Sequence, residues 1–299
     1  YAGIAGTDAQ NQNLAPTAVY VGFWVGIPFA SLLFGDVFRY FNPWRALGRA
    51  TGWVAGKFAS ELPEPLEYPE RVGRWPAAFG LFCFAICELC WADATQPGPL
   101  ALLMLVYLVV MLIGMSLYGV EPWVRNADAF GVLFGLIGSL SPIGRSGSGP
   151  VELRVPGSET ARLTAVPGTL ALLIISVAST AFDGAKEGPL FNDIVQELQD
   201  VFGSIGFSLG RALELGFLVG LIVSILVVGA IWALGMRGMS IPPGVPDRRA
   251  LARAFSHTLV PIAAGYMVAH YFSLLAYNGQ ALWPLANDPL GRGSDLFGG

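Results

Sequence analysis

Long apolar runs alternate with shorter polar segments along almost the whole chain. Six runs, at 15–36, 75–92, 99–119, 168–184, 207–236 and 254–279, are long and apolar enough to be read as crossings of a hydrocarbon core of about 30 Å, which takes roughly 20 residues of helix. Between them lie elements with different periods. Asn42 followed by Pro43 reads as an N-cap and first-turn pair, and the helix it opens sets Trp44, Leu47, Trp53, Val54 and Phe58 against Arg45, Arg49 and Lys57, the pattern of a helix lying on a membrane surface. Residues 127–140 are apolar but too short to span, and Gly131, Gly135 and Gly138 allow close packing, which predicts a re-entrant or interfacial helix. From Leu190 to Gly206 the apolar positions recur at helical spacing, so this segment is expected to be an amphipathic surface helix. Residues 145–167, rich in Gly, Ser and Pro, are expected to form a loop with one hairpin.

Composition settles the solvent. Apolar residues make up 54% of the chain and charged residues 13%, with a mean hydropathy of +0.58, whereas soluble domains carry roughly 25% charge. The expected fold is therefore an all-α, polytopic transmembrane helical bundle in contact with the lipid bilayer. It is read as a single transmembrane domain over 1–299. The opening YAGIAGTDAQNQN reads as the end of an earlier hydrophobic element, so the chain is expected to be a fragment of a longer one. The net charge of −4 and basic residues scattered through loops argue against a nucleic-acid partner.

The basic residues also give a direction. Fourteen of the 17 lysines and arginines fall in the segments after the first, third and fifth runs, which by the positive-inside rule places those segments in the cytoplasm of a cell carrying the chain in its inner membrane. On that topology the polar residues inside the runs share one half of the bilayer: Glu88, Tyr107, Asp183, Arg211, Glu214 and His270 all map toward the outer side. Ionisable groups at such depth are rare and must pair or face a polar cavity. An outward-facing pocket is the functional reading; pairing for assembly alone, such as Arg211 with Glu214, is the other.

Both histidines lie on the last run. Thirteen residues of helix separate His257 from His270, a rise of about 20 Å with a rotation of about 220°, so they cannot share one metal ion on an unbroken helix. His257 is expected near the surface. His270 shares a stripe with Tyr266, Ser273 and Tyr277 and is expected to accept a proton or ligate from a hydroxyl-lined face. Cys83, Cys87 and Cys90 on the second run and Met104, Met111 and Met115 on the third would line a Cu(I) path if these runs pack as antiparallel neighbours. Ordinary apolar packing accounts for them equally well.

The runs LAPTAVYVGFWVGIPFASLLFGDVFRYFNPWRALGRA, YGVEPWVRNADAFGVLFGLIGSLSP, STAFDG and HTLVPIAAGYMVAHYFSLLAYNGQALWPLANDPLGRGSDLFG resemble a family of bacterial, mostly actinobacterial, integral membrane proteins named fenitrothion hydrolase. The resemblance implies a longer chain with further spans at both ends, and hydrolysis of organophosphate triesters at the membrane. That chemistry is normally driven by a divalent metal ion that lowers the pKa of a bound water. The candidate catalytic residues are then His270, Asp183, Glu88 and Glu214, with His270 and Asp183 as the first metal ligands and Tyr107, Arg211, Tyr266 and Tyr277 as substrate contacts. Two other readings use the same residues: a transporter or channel for protons, metal ions or a small solute, and a non-catalytic subunit whose polar groups face other membrane subunits.

Overall fold

A computed structural model describes residues 1–58, 63–145, 150–163 and 166–298. The first long helix, α1 (Leu14–Phe34), ends at Gly35, whose φ of 86° lies in the left-handed region open to glycine. The surface helix α2 (Pro43–Phe58) follows. Its start is capped as the Asn42–Pro43 pair predicts, the Arg45 amide donating to Asn42 Oδ1 at 3.0 Å. Only Gly48 of α2 is buried, while Trp53, Val54 and Phe58 are exposed and Lys57 lies over the Trp53 ring at 3.7 Å.

Then come α3 (Trp75–Cys90), α4 (Pro97–Tyr118), α5 (Val120–Ala127) and α6 (Ala129–Gly138). A two-stranded antiparallel hairpin pairs β1 (Ile143–Arg145) with β2 (Val151–Leu153), beginning two residues before the 145–167 segment expected to hold one; 146–149 and 164–165 of that segment lie outside the described residues. The rest is helical: α7 (Thr169–Ala185), α8 (Pro189–Ser204), α9 (Leu209–Gly238), α10 (Arg248–Phe255) and α11 (Leu259–Asn278).

The all-α bundle is as expected, but its membrane-crossing parts differ from six equal spans. Among the described residues four helical stretches are long and apolar enough to cross, Leu14–Phe34, Pro97–Tyr118, Leu209–Gly238 and Arg248–Asn287, and α7 with α8 forms a pair bent by 93° that counts as a fifth only if taken together. Helix α3 has 16 residues, a length of about 24 Å. Its shortness is tolerable because protein groups meet both ends: Arg74 precedes it, and past its other end the Ala92 amide donates to Glu214 Oε1 at 3.1 Å. The long helices turn apolar side chains outward, Val106, Val109, Val110 and Ile113 on α4 and Leu226, Val227, Ile231 and Leu234 on α9. Of the 30 residues of α9 only Ala212, Gly216 and Leu221 are buried, which marks a surface made for lipid.

The core sits where α1, α3, α6, α7 and α11 meet. Helix α6 is enclosed by protein, with Ala129, Leu133, Phe134 and Ile137 all at most 1% exposed, the surroundings that a short non-spanning helix needs wherever it enters the bilayer. Phe23, Trp24, Phe84, Phe130 and Phe134 form edge-to-face and tilted ring contacts around it. The expected α3–α4 antiparallel pair is absent as an extended contact. Helix α3 runs along α6, α7 and α9 instead, and α4 packs on α2 and α5, where Met111 and Met115 are buried with Val124. The cysteine and methionine faces therefore do not form a common lane.

Candidate functional site

At the end of α7 farthest from its start at Thr169, the carboxylate of Asp183 collects three donors. Lys186 Nζ, one turn on, lies 2.9 Å from Oδ1. His270 Nε2 and the Tyr271 hydroxyl, both on α11, each lie 3.0 Å from Oδ2. The Asp183 side chain is 18% and that of His270 33% exposed, while Tyr271 is buried. A carboxylate that accepts from one ring nitrogen fixes the imidazole's orientation and tautomer, and it stabilises the imidazolium when the ring takes a proton. His270 Nδ1 makes no hydrogen bond among the described residues. Gly184 packs beside the ring, where a Cβ would meet Cε1 at 3.4 Å and that nitrogen at 3.6 Å, ordinary contact distances.

Of the other sequence candidates, Glu88 is within electrostatic reach of Asp183, Lys186 and Tyr271, so it borders the same cluster from α3. Glu214 is one step further out, clamping the Ala92 amide rather than pairing with Arg211. The Arg211 side chain is exposed and forms no ion pair among the described residues. Tyr107 belongs elsewhere: its hydroxyl donates to Asp128 Oδ1 at 2.9 Å and accepts from the Ala129 amide at 3.1 Å. Tyr266 and Tyr277 are 47% and 76% exposed, and with Ser273 they face away from the bundle. The stripe through His270 is thus real as a spacing but points outward; the hydroxyl that meets the cluster is the adjacent Tyr271. His257 lies in a short turn before α11, its Nδ1 2.7 Å from the Ala254 carbonyl oxygen.

Two participants carry no weight in the sequence reading. Lys186 is legible afterwards as an i, i+3 partner of Asp183. Tyr271 has no signal of its own, because its meeting with Asp183 depends on the α7–α11 packing.

The donor set does not suit a hydrolytic metal ion. Among the described residues no three His, Cys, Asp or Glu side chains converge as ligands, and Lys186 occupies the Asp183 oxygen that His270 leaves open. A cavity of about 1440 Å³ exists, but at the opposite end of the bundle, lined by Asp36, Arg45, Arg74 and Arg125 among others. The fourteen helical residues from Thr169 to Asp183 put the two features about 20 Å apart. Ala78, Leu81, Leu133, Leu172 and Leu173, each at most 1% exposed, belong to the packed core between them.

Polar residues recur on one face of α7, interrupted by Leu172 and Leu173 between Thr169 and Ser176. Thr169, Ser176, Thr180 and Asp183 lie at spacings that place them on one face of α7, and all three hydroxyl residues are buried. Arg74 Nη1 donates to Thr169 Oγ1 at 3.4 Å at the near end, and Thr180 Oγ1 donates to the Ser176 carbonyl at 3.1 Å. Ser176 Oγ has no hydrogen-bond partner among the described residues, which leaves its donor and acceptor capacity open. Comparison with known proteins yields no family model, no curated protein and no solved structure that matches the chain.

Proposed function

We propose that this multi-pass membrane protein couples the passage of a small solute to proton transfer, with Asp183 and His270 as the proton-exchanging pair. The observation that carries this reading is the Asp183–His270 contact at 3.0 Å, on the same face of α7 as the buried Ser176 and Thr180 and as Thr169, which meets Arg74 of the cavity wall. A binding cavity on one side, a titratable pair on the other and a packed apolar core between them are the parts that a transporter closed on one side requires. The cytoplasmic placement of the arginine-bearing end follows from the charge asymmetry of the segments.

The triester hydrolase implied by the resemblance fits less well. It needs a substrate pocket at the reacting groups, whereas the cavity lies at the other end, and its metal lacks a ligand set. A metal-free version would leave Asp183 and His270 to activate water as an orienting carboxylate and a general base.

Reconstitution separates the two. The purified protein in liposomes containing a pH-sensitive dye, under an imposed potential and a panel of small anionic and neutral solutes, is expected to pass protons faster than protein-free liposomes. Asp183→Asn and His270→Ala are expected to return that flux to the protein-free level, and Arg249→Gln, on the exposed face of α10, to leave it unchanged. Flux that survives both substitutions would overturn the assignment. Turnover of a phosphotriester that disappears in His270→Ala would replace transport by hydrolysis.

A further inference from the structure

The cavity at the arginine-bearing end has a chemistry of its own. Six arginines line it: Arg39, Arg45, Arg71, Arg74, Arg125 and Arg253. They come from five separate elements or connections. The carboxylates on its wall are Asp36, Glu70 and Glu121, so positive charge is in excess by three. Among the described residues, Arg45 alone of these arginines is in an ion pair, with Glu121 at 3.4 Å, and Glu121 is shared with Arg49 at 2.7 Å. Asp36 Oδ1 is occupied by the Arg39 amide.

Arg74 and Arg125 stand out. Arg74 donates weakly to Thr169 through Nη1, and its buried Nε has no hydrogen-bond partner among the described residues. Arg125 lines the same cavity and acts on Arg74 as a like charge. Burial, reinforced by that neighbour, holds the Arg74 guanidinium below its usual range. A wall with three more guanidinium groups than carboxylates, one of them buried with an unmatched Nε–H, is stabilised by a planar or tetrahedral oxyanion that accepts from more than one arginine.

We infer that this cavity binds a phosphate-type oxyanion carried on a molecule larger than the ion itself, with Arg74 and Arg125 gripping the anionic group. The volume of about 1440 Å³ leaves space well beyond one phosphate, since ligand pockets for drug-sized molecules span roughly 300–1,000 Å³. A neutral phosphotriester offers these arginines no charge, so the site selects a different class of compound from the one the resemblance implies. The inference concerns equilibrium binding and does not rest on the transport reading. The same anionic group is available from water or from an anionic phospholipid at the membrane surface.

The test uses the full chain in two settings. In detergent, calorimetric titration with inorganic phosphate and pyrophosphate is expected to give saturable binding, tighter for pyrophosphate. Arg74→Gln and Arg125→Gln are each expected to weaken it about tenfold, with Arg249→Gln unaffected. Arg74→Lys, which keeps the charge but loses the fork, is expected to retain part of the affinity, and a circular dichroism spectrum unchanged from wild type separates lost binding from lost folding. In nanodiscs, the comparison is between phosphatidylcholine alone and the same lipid with phosphatidic acid. Binding of the soluble anions in both lipids assigns the site to a soluble ligand, while phosphate binding that is competed away by phosphatidic acid assigns it to a headgroup. No binding of either, or binding equal in wild type and both Gln variants, overturns the inference.

Discussion

Asp128 shows how a single side chain holds three elements together. It is fully buried between α5 and α6; Asn42 Nδ2 donates to one oxygen at 2.6 Å and Tyr107 to the other at 2.9 Å. Burial raises its pKa above the usual carboxylate range, with the hydrogen bonds, including those from Asn42 and Tyr107, offsetting part of the effect. Because the folded value lies above the unfolded value of about 3.9, the contribution of this group to stability is complete below that pH and declines as pH rises through the raised value. Asp128→Asn is expected to remove that decline while keeping an acceptor for Tyr107, so its unfolding temperature in detergent varies less with pH than that of wild type. Asp128→Ala leaves two buried donors unpaired and is expected to cost about 2 kcal/mol at every pH. Equal pH slopes in wild type and Asp128→Asn would show that Asp128 is not the titrating group.

At the scale of elements, two glycines on long helices predict opposite results. A Cβ at Gly114 of α4 would fall inside the Trp123 indole on α5, whereas one at Gly265 of α11 would meet nothing within 4 Å. Gly114→Ala is therefore expected to destabilise by about 1–3 kcal/mol through forced repacking. Gly265→Ala is expected to raise stability by about 0.5–1 kcal/mol, because alanine loses less backbone freedom in a helix interior. Thermal unfolding of the two variants in one detergent checks both, and a destabilised Gly265→Ala would mean that this face is covered. The same elements mark what the sequence conveys. Apolar runs give the existence and approximate extent of α1, α4, α9 and α11, since each helix carries its signal in its own residues. Which helices are neighbours is not local information. A short connection suggests α3 beside α4, but the chain leaves α3 through Trp91 and Ala92, held by Glu214 of α9, and α3 joins the core instead. The candidate site divides in the same way: depth along the helix places Asp183 and His270 together, but Tyr107 faces Asp128 because side-chain direction follows tertiary packing. The arginines look scattered in the sequence for the same reason, being distant along the chain and adjacent only at the cavity.

Across the whole molecule, the arrangement has two unlike ends. The segments bearing most of the arginines meet around the cavity at one end, and Asp183, Lys186, His270 and the acidic helix α8 mark the other. Charge asymmetry of this kind sets orientation because basic flanks are retained on the cytoplasmic side, which yields a prediction for the intact chain in cells. After replacement of Cys83, Cys87 and Cys90 by serine, single substitutions Glu197→Cys on α8 and Arg249→Cys on α10 introduce thiols at exposed positions of opposite ends. A membrane-impermeant maleimide is expected to label Glu197→Cys on intact cells and Arg249→Cys only after permeabilisation. The reverse pattern would invert the orientation and put the arginine cavity outside, where its oxyanion would have to come from the medium. Labelling of both before permeabilisation would contradict the crossing of the membrane between them. Since α9 alone connects α8 to the segment leading into α10, the pair of labels also asks whether its 30 residues, about 45 Å of helix, pass through the bilayer as their outward-turned leucines, isoleucines and valines require.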